Sequence, residues 1–391
     1  MKKKRYCLLV LLIVFSTGLF AGEQDTLKVL TTPQFAGAYY APFARNYLGA
    51  EAAGRGYTGV AMAGSSEMGL INPAVMRPDS IRVFIEMDIK PSIQEPELEY
   101  FARYKSDVPI GIAGLGMPLS SKMHLALCYS NPQSIVLNDY TIEINQGGEI
   151  INRQPKYELH QASIMANYLL SESFSIGLGV HNQIHRIGDS IFLHDFHRDS
   201  HDKYALGVQP GMLYEKGGLG FGLSAMLPWK IDWDMRHVDY EQILPWEIKG
   251  GISYEKGINR AALDIGYRNF KAENEIFKDE LSLGLGLERR DGNRVYRLGY
   301  MYKSDIWSGT ILFPIHSNLD DVGDIWDWHE SIQILPDEQH HLSAGIEYLF
   351  KDGSINASIL QAAFGEIYTT HLQLGLNLRL SVFTRKREIK S

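Results

Sequence analysis

From about Ser80 to the end of the chain, apolar and polar residues alternate with a period of two, over runs longer than soluble strands. Ile81, Val83, Ile85, Met87 and Ile89 alternate with Arg82, Phe84, Glu86, Asp88 and Lys90. Leu372, Leu374, Leu376, Leu378, Leu380 and Val382 do the same against Gln373, Gly375, Asn377, Arg379 and Ser381. A strand puts successive side chains on opposite faces, so each run presents one greasy face and one mixed face. Strands of about ten residues or more are long enough to cross a bilayer when tilted, and exposed backbone groups in hydrocarbon force such strands to close into a barrel. The pattern predicts an all-β fold, a transmembrane antiparallel β-barrel.

Strands are predicted near 80–90, 108–118, 121–131, 155–169, 172–187, 203–215, 218–234, 246–255, 258–271, 279–290, 293–304, 340–351, 354–364 and 369–383. The count is about 14. Tight connections at Pro118–Ser121, Ser171–Ser173, Glu215–Gly218, Glu255–Gly257, Arg290–Asn293 and Lys351–Ser354 are interleaved with mostly longer ones, notably 132–154, 188–202 and 305–339. Outer-membrane barrels pair short periplasmic turns with long external loops, so an even strand count puts both ends of the barrel in the periplasm. Tyr168, Tyr214, Tyr254 and Phe350 stand just before tight turns and are expected in the periplasmic aromatic girdle; Trp229, Trp233, Trp246 and Trp307 are candidates for the outer one.

The beginning of the chain fits export. Lys2, Lys3, Lys4 and Arg5 precede an apolar run from Tyr6 to Phe20 that turns polar at Glu23, the layout of a signal peptide over 1–21. That run is shorter than a membrane helix needs, and no later segment comes closer. Cys7 lies inside the predicted signal, which leaves Cys128 as the one thiol of the mature chain and excludes an internal disulfide. A net charge of −8 and a pI near 5.9 offer no basic surface for nucleic acid. The expected organisation is a signal peptide at 1–21, a segment at 22–79, a barrel at 80–383 and a tail at 384–391.

With the leucine face toward lipid, Lys249, Arg260, Asp264, Arg268, Glu288, Arg297, Glu347 and Arg379 fall on the opposite face. A charge facing hydrocarbon costs about 2–4 kcal/mol near the midplane, so these residues are expected to line the lumen. Glycines recur on that face at Gly177, Gly179, Gly207, Gly211, Gly220, Gly222, Gly284, Gly286 and Gly375. Glycine inside a strand marks close approach of another backbone, which points to something held inside the barrel. The candidate is the segment 22–79, Gly- and Ala-rich and without barrel-length alternation.

That segment carries Ala53-Gly54-Arg55-Gly56-Tyr57-Thr58-Gly59-Val60-Ala61-Met62-Ala63, then Gly64-Ser65-Ser66-Glu67-Met68-Gly69-Leu70-Ile71, and Asn72-Pro73-Ala74-Val75-Met76 just before the first strand. Pro73 fixes its own φ and biases Asn72 to extended backbone, a turn from plug into wall, while Gly54, Gly56 and Gly59 permit tight packing. The stretch 52–76 resembles the N-terminal hatch of the FadL-type outer-membrane transport family, whose wider group includes the PorV-like barrels of protein secretion. It departs from that pattern at Gly64-Ser65-Ser66, where family members usually carry an acidic pair, and at Val75, often glycine there. The resemblance implies a fourteen-stranded barrel with a small N-terminal plug. It also implies passive passage of long-chain fatty acids or other hydrophobic small molecules, gated by the hatch residues Gly54, Gly56, Gly59, Asn72, Pro73 and Ala74. Its partners would then be outer-membrane lipids and a hydrophobic substrate. The alternative is a PorV-like carrier or scaffold, whose partner would be a secreted protein or a periplasmic carrier.

Other chemistry is weakly signalled. His194, Asp195, His197, Asp199, His201 and Asp202 are placed in the external loop after strand five, a density of imidazole and carboxylate that resembles a metal site but is read as a solvated loop. Asp320, Asp321, Asp324 and Asp327 fit no calcium-loop spacing. No G-x-S-x-G or H-E-x-x-H pattern occurs, so neither a cofactor nor an enzymatic role is expected.

Overall fold

The computed structural model describes residues 28–29, 49–89, 110–136, 140–144, 149–153, 156–193, 195–235, 238–272, 277–306, 311–312, 338–364 and 370–380. The predicted signal peptide, Trp307, the aspartates at 320–327 and the tail at 384–391 lie outside them. The wall strands in chain order are β1 (Arg82–Ile89), β2 (Ile110–Pro118), β3 (Met123–Val136), β4 (Lys156–Ser171), β5 (Phe174–Leu193), β6 (Asp195–Lys216) and β7 (Leu219–Met226). They continue as β8 (Glu247–Lys256), β9 (Asn259–Arg268), β10 (Glu280–Asp291), β11 (Arg294–Lys303), β12 (Gln339–Phe350), β13 (Gly353–Phe364) and β14 (Thr370–Arg379).

Each strand pairs antiparallel with the next, and β1 pairs antiparallel with β14, from Arg82 opposite Arg379 to Ile89 opposite Leu372. The sheet therefore closes as a fourteen-stranded barrel with no free edge. Tight reversals between strands use glycine in the left-handed region, at Gly217 and Gly218 (φ 62° and 83°), Gly257 (φ 63°) and Gly292 (φ 59°).

The alternation decides which way each residue points. Val83, Ile85, Met87 and Ile89 are exposed while Phe84, Glu86 and Asp88 are buried, and Leu285 and Leu287 are exposed beside buried Gly286. The outward leucines and isoleucines form a band suited to acyl chains, and buried polar side chains crowd the inner face. Tyr168, Tyr214, Tyr254 and Phe350 point outward at the short-turn end, as expected of a girdle.

Three predicted boundaries change. The predicted loop holding Asp195 to Asp202 is instead the first part of β6, paired residue by residue with β5 from Leu193 opposite Asp195 to Arg186 opposite Asp202. Strand pairing extends the wall there and removes the loop into which a metal site was weighed; Asp202 binds Arg186 at 2.7 Å. β7 stops at Met226 because Pro228 follows, and Trp229–Met235 pairs with Val238–Leu244 as a separate hairpin. Part of the predicted 132–154 connection also forms a hairpin, Tyr140–Ile144 with Glu149–Arg153.

Candidate functional site

Residues 49–79 lie against the inner faces of strands all around the barrel, in its short-turn half. Their backbone forms one helical turn at Ala50–Ala53 and two 3-10 turns at Glu67–Leu70 and Pro73–Val75. Within this inner segment Ala52, Val60, Ala61, Met68, Ile71, Ala74 and Val75 pack on one another, joined from the wall by Leu213.

The wall holds the segment with polar side chains. Asp264 accepts from the amides of Gly59 and Val60 at 2.7 and 2.9 Å. Asn167 donates to Ala74 O at 2.9 Å and to Met76 O at 2.6 Å, Ser175 donates to Ala74 O at 2.9 Å, and Gln209 to Ile71 O at 3.0 Å. Ser253 donates to Ala61 O at 2.6 Å, Glu86 accepts from the Ala50 amide at 2.8 Å and Ser343 from the Gly56 amide at 2.8 Å. A short irregular segment cannot satisfy its own backbone, and these strand side chains do it instead.

Glycines make the close approach possible. A β-carbon at Gly177 would overlap the backbone of Ala74, one at Gly220 or Gly222 the carbonyls of Ala61 or Val60, one at Gly299 the backbone of Arg55 and Gly56, and one at Gly286 the Arg55 carbonyl and Thr58. Gly211 faces Asn72 and Gly284 faces Gly56 and Thr58. Gly179, Gly207 and Gly375 face side chains of neighbouring positions: His181 and Gln209, His181 and Gln183, and Asn356.

The predicted hatch residues are brought together here. Gly54 sits against Gly345 and the β-carbon of Arg297. Gly56 turns the chain at φ 64°, and Tyr57 follows it at φ 60°, a backbone conformation costly for a residue with a side chain. Asn72 is extended (φ −151°), caps the turn by accepting from the Ala74 amide at 3.0 Å, and donates to Val60 O and Met212 O.

The predicted lumen residues divide into three places. Arg297, Glu347 and Asp264 lie inside with the segment. Arg297 binds Glu288 at 2.8 Å and Glu347 at 2.5 Å, and the fully buried Arg55 binds Glu288 at 2.7 Å and Glu51 at 2.9 Å. Burial alone would raise the Glu51 carboxyl, but Arg55 and Arg297 outweigh it and hold it down at about 2. Glu67 has no such partner; burial, with Glu86 and Glu51 nearby, pushes it up to about 8. Arg260 and Arg379 stand at the short-turn rim, Arg260 paired with Glu255 at 2.6 Å and Arg379 with Asp79 at 4.0 Å. Arg268 is at the other end, in a pair with Glu247, which also binds Lys249 at 2.5 Å.

Above the segment, toward the long connections, is a cavity of about 240 Å³. Its floor is Gly56, Tyr57 and Leu70; its walls include Leu159, Met226, Leu227, Trp229, Phe270 and Met301. Lys249 lies over the Tyr57 ring at 5.8 Å. Among the polar wall residues, Tyr157 Oη meets His185 Nδ1 at 2.6 Å and Gln183 Nε2 donates to Gln161 Oε1 at 3.0 Å; Glu247, Lys249, Asp264, Arg268 and Lys303 also line the cavity. His181, which lines the cavity, meets Gln209 Oε1 through Nε2 at 3.0 Å and the buried Ser163 Oγ through Nδ1 at 2.8 Å.

One side of the cavity coincides with a bulge in the wall. The β3–β4 ladder shifts register between Ser130 and Gln133, Asn131 donates its side-chain amide across the shift to Leu159 O at 3.1 Å, and Ser130, Pro132 and Gln133 line the cavity. Sequence reading missed this bulge, although a proline in a strand pattern is its signal.

No family model matches the chain, and no curated protein matches it in sequence. Solved structures do. The toluene transporter TbuX of Ralstonia pickettii superposes with a TM-score of 0.63 at 9% identity, over 85% of this chain and 98% of the other. The monoaromatic hydrocarbon channel CymD gives 0.59 at 12% identity, over 85% and 97%. A Pseudomonas aeruginosa FadL homologue gives 0.56 at 10% identity, over 84% and 97%. The fold neighbours thus include two hydrocarbon transport proteins and a FadL homologue, the last from the group that the N-terminal motif resembles.

Proposed function

We propose that this barrel is a passive outer-membrane channel for small hydrophobic molecules, with residues 49–79 acting as its plug. The observation that carries the reading is the cavity resting on the inner segment and bounded on one side by the β3 bulge. A molecule entering from the long-connection side reaches a chamber with a floor. From there it leaves downward if the segment shifts, or sideways toward acyl chains at the β3 bulge between Ser130 and Gln133.

Size favours a compact guest. A cavity of roughly 150 Å³ lined by apolar residues accommodates benzene, so 240 Å³ suits one aromatic ring with substituents better than a fully enclosed long acyl chain. The toluene transporter and the monoaromatic hydrocarbon channel that share this fold agree with that reading. Long-chain fatty acids remain the other hydrophobic class that the hatch motif implies. An apolar patch on the external loops, which a secretion scaffold would need, falls mostly outside the described residues.

The test is uptake of radiolabelled toluene and palmitate by intact cells of a bacterium without its own hydrocarbon channel, with and without this protein. Expression should accelerate toluene uptake several-fold; equal rates with and without the protein would overturn the proposal. A disulfide between Ala61→Cys and Ser253→Cys, whose parent residues are hydrogen-bonded, ties the segment to the wall. Loss of uptake on oxidation assigns the route to plug movement, and retention assigns it to the bulge.

A further inference from the structure

The outward face of β8 to β11 differs from the rest of the barrel. Two neighbouring rows of side chains run across it: Tyr254, Ala261, Leu287 and Leu298, and next to them Ile252, Leu263, Leu285 and Tyr300. Ala261 is short between large neighbours, and the rows enclose a shallow apolar groove of about 570 Å³. Its width from β8 to β11 is three strand spacings, about 14 Å.

Directly toward the short turns, the next row reads Lys256, Asn259, Arg289 and Tyr296. Arg294 follows two residues further along, opposite Tyr348, and reaches the Tyr296 hydroxyl. Lys256, Arg289 and Arg294 are exposed and belong to the outward face. Among the described residues neither Lys256 nor Arg289 is held in an ion pair or side-chain hydrogen bond, and the carboxylate of this face is Asp291, cross-strand from Arg294. At the same height elsewhere, from β12 round to β5, the outward positions are apolar or aromatic, for example Phe350, Ile355, Leu378, Val83, Met123 and Tyr168. Cations and groove thus share one quadrant.

We propose that this quadrant is a binding site for one anionic glycerophospholipid of the periplasmic leaflet, its phosphate held between Lys256, Arg289 and Arg294 and an acyl chain laid in the groove over Ala261. Lys256 and Arg289 are two strand spacings apart, about 10 Å between backbones, which two long side chains close around a phosphate. Tyr254, Tyr296 and Tyr348 supply the amphipathic rings that favour the headgroup level. Three cations against one carboxylate select an anionic headgroup over a zwitterionic one. The acyl groove makes a membrane lipid, and not a free phosphate, the occupant.

The experiment is native mass spectrometry of the full-length protein released from detergent, titrated with dioleoylphosphatidylglycerol and dioleoylphosphatidylethanolamine. The wild type should retain one phosphatidylglycerol about tenfold more strongly than phosphatidylethanolamine, and Lys256→Gln/Arg289→Gln should remove that preference. Ala261→Phe fills the groove and should lose both lipids, whereas Lys216→Gln, a rim cation on β6, should change nothing. All four positions face outward, and heat-modifiable migration on gels verifies folding. An unchanged preference in the double variant, undiminished lipid retention in Ala261→Phe, or equal binding of soluble glycerol 3-phosphate would each overturn the proposal. Hydrocarbon uptake is a separate readout, so this site and the transport reading fail independently.

Discussion

Replacing Asp264 by alanine is the sharpest perturbation of the inner segment. One carboxylate oxygen accepts from two consecutive amides, Gly59 and Val60, in a buried setting. Hydrogen bonds to a charged acceptor contribute about 1.5–3 kcal/mol each, so two of them place roughly 3–6 kcal/mol on one side chain. At a factor of ten per 1.4 kcal/mol, the population with the segment displaced should rise by about 10²- to 10⁴-fold. Asp264→Asn keeps an acceptor at lower strength and should show a smaller effect. Hydrogen exchange read by mass spectrometry on peptides spanning 49–79 measures this directly, with β13 and β14 peptides as the control for barrel integrity. Unchanged exchange of the 49–79 peptides in Asp264→Ala would refute the idea that wall side chains, and not the segment's own packing, hold it in place.

Three further perturbations separate the contributions. Gly222→Leu should displace the segment, because its β-carbon meets the Val60 carbonyl, while Gly250→Leu, with open space around it, should leave exchange unaltered. Glu67 titrates at about 8 when docked, above its value of about 4.5 in the open chain, so the docked form is favoured at acid pH. That preference is complete below about 4.5 and fades as pH rises toward 8; protection of 49–79 should fall at least tenfold between pH 5 and 9, and Glu67→Gln should make that fall smaller. Leu285→Arg on the outward band should destabilise the folded barrel by up to about 2–4 kcal/mol in a urea titration in lipid vesicles, an effect absent if that face were not in hydrocarbon.

The wall was legible from the sequence because its code is local. Alternation such as Ile85/Glu86/Met87/Asp88 fixes which face meets lipid, and turn residues such as Gly217 and Gly257 fix where strands reverse. The interior was legible only in part. Gly177, Gly211, Gly222 and Gly286 announced a close neighbour, and Asn72 and Pro73 the turn from segment to wall. Which partners they meet depends on strands far away in the chain, and no local pattern specifies that Asp264 reaches Gly59, 205 residues off, or that Asn167 reaches Ala74, 93 residues off. Arg260 and Arg379 share the inward parity of Arg297, yet they end at the rim, because parity gives the face and not the depth. The hairpin at Asp195 was hidden by its polarity: outside the membrane a strand needs no greasy face.

The distribution of contact types bears on whether the segment can move. Most of its apolar residues bury one another, with Leu213 as the wall's one member of that cluster, so the segment keeps much of its core wherever it sits. Toward the wall it offers mainly carbonyls, amides and charges, groups for which water is a ready substitute. Met76 and Leu70 pack against Phe84, Ile112 and Met165 next to β1, and Tyr57 packs against Met301 and Leu360. Displacement that begins at Gly54–Ala61 and pivots near Met76 therefore gives up the one apolar contact of Tyr57 and otherwise exchanges hydrogen bonds for hydration, while retaining the anchor at Met76. A plug attached by grease on every side would have no comparable path, and its release would cost the burial of each side chain in turn.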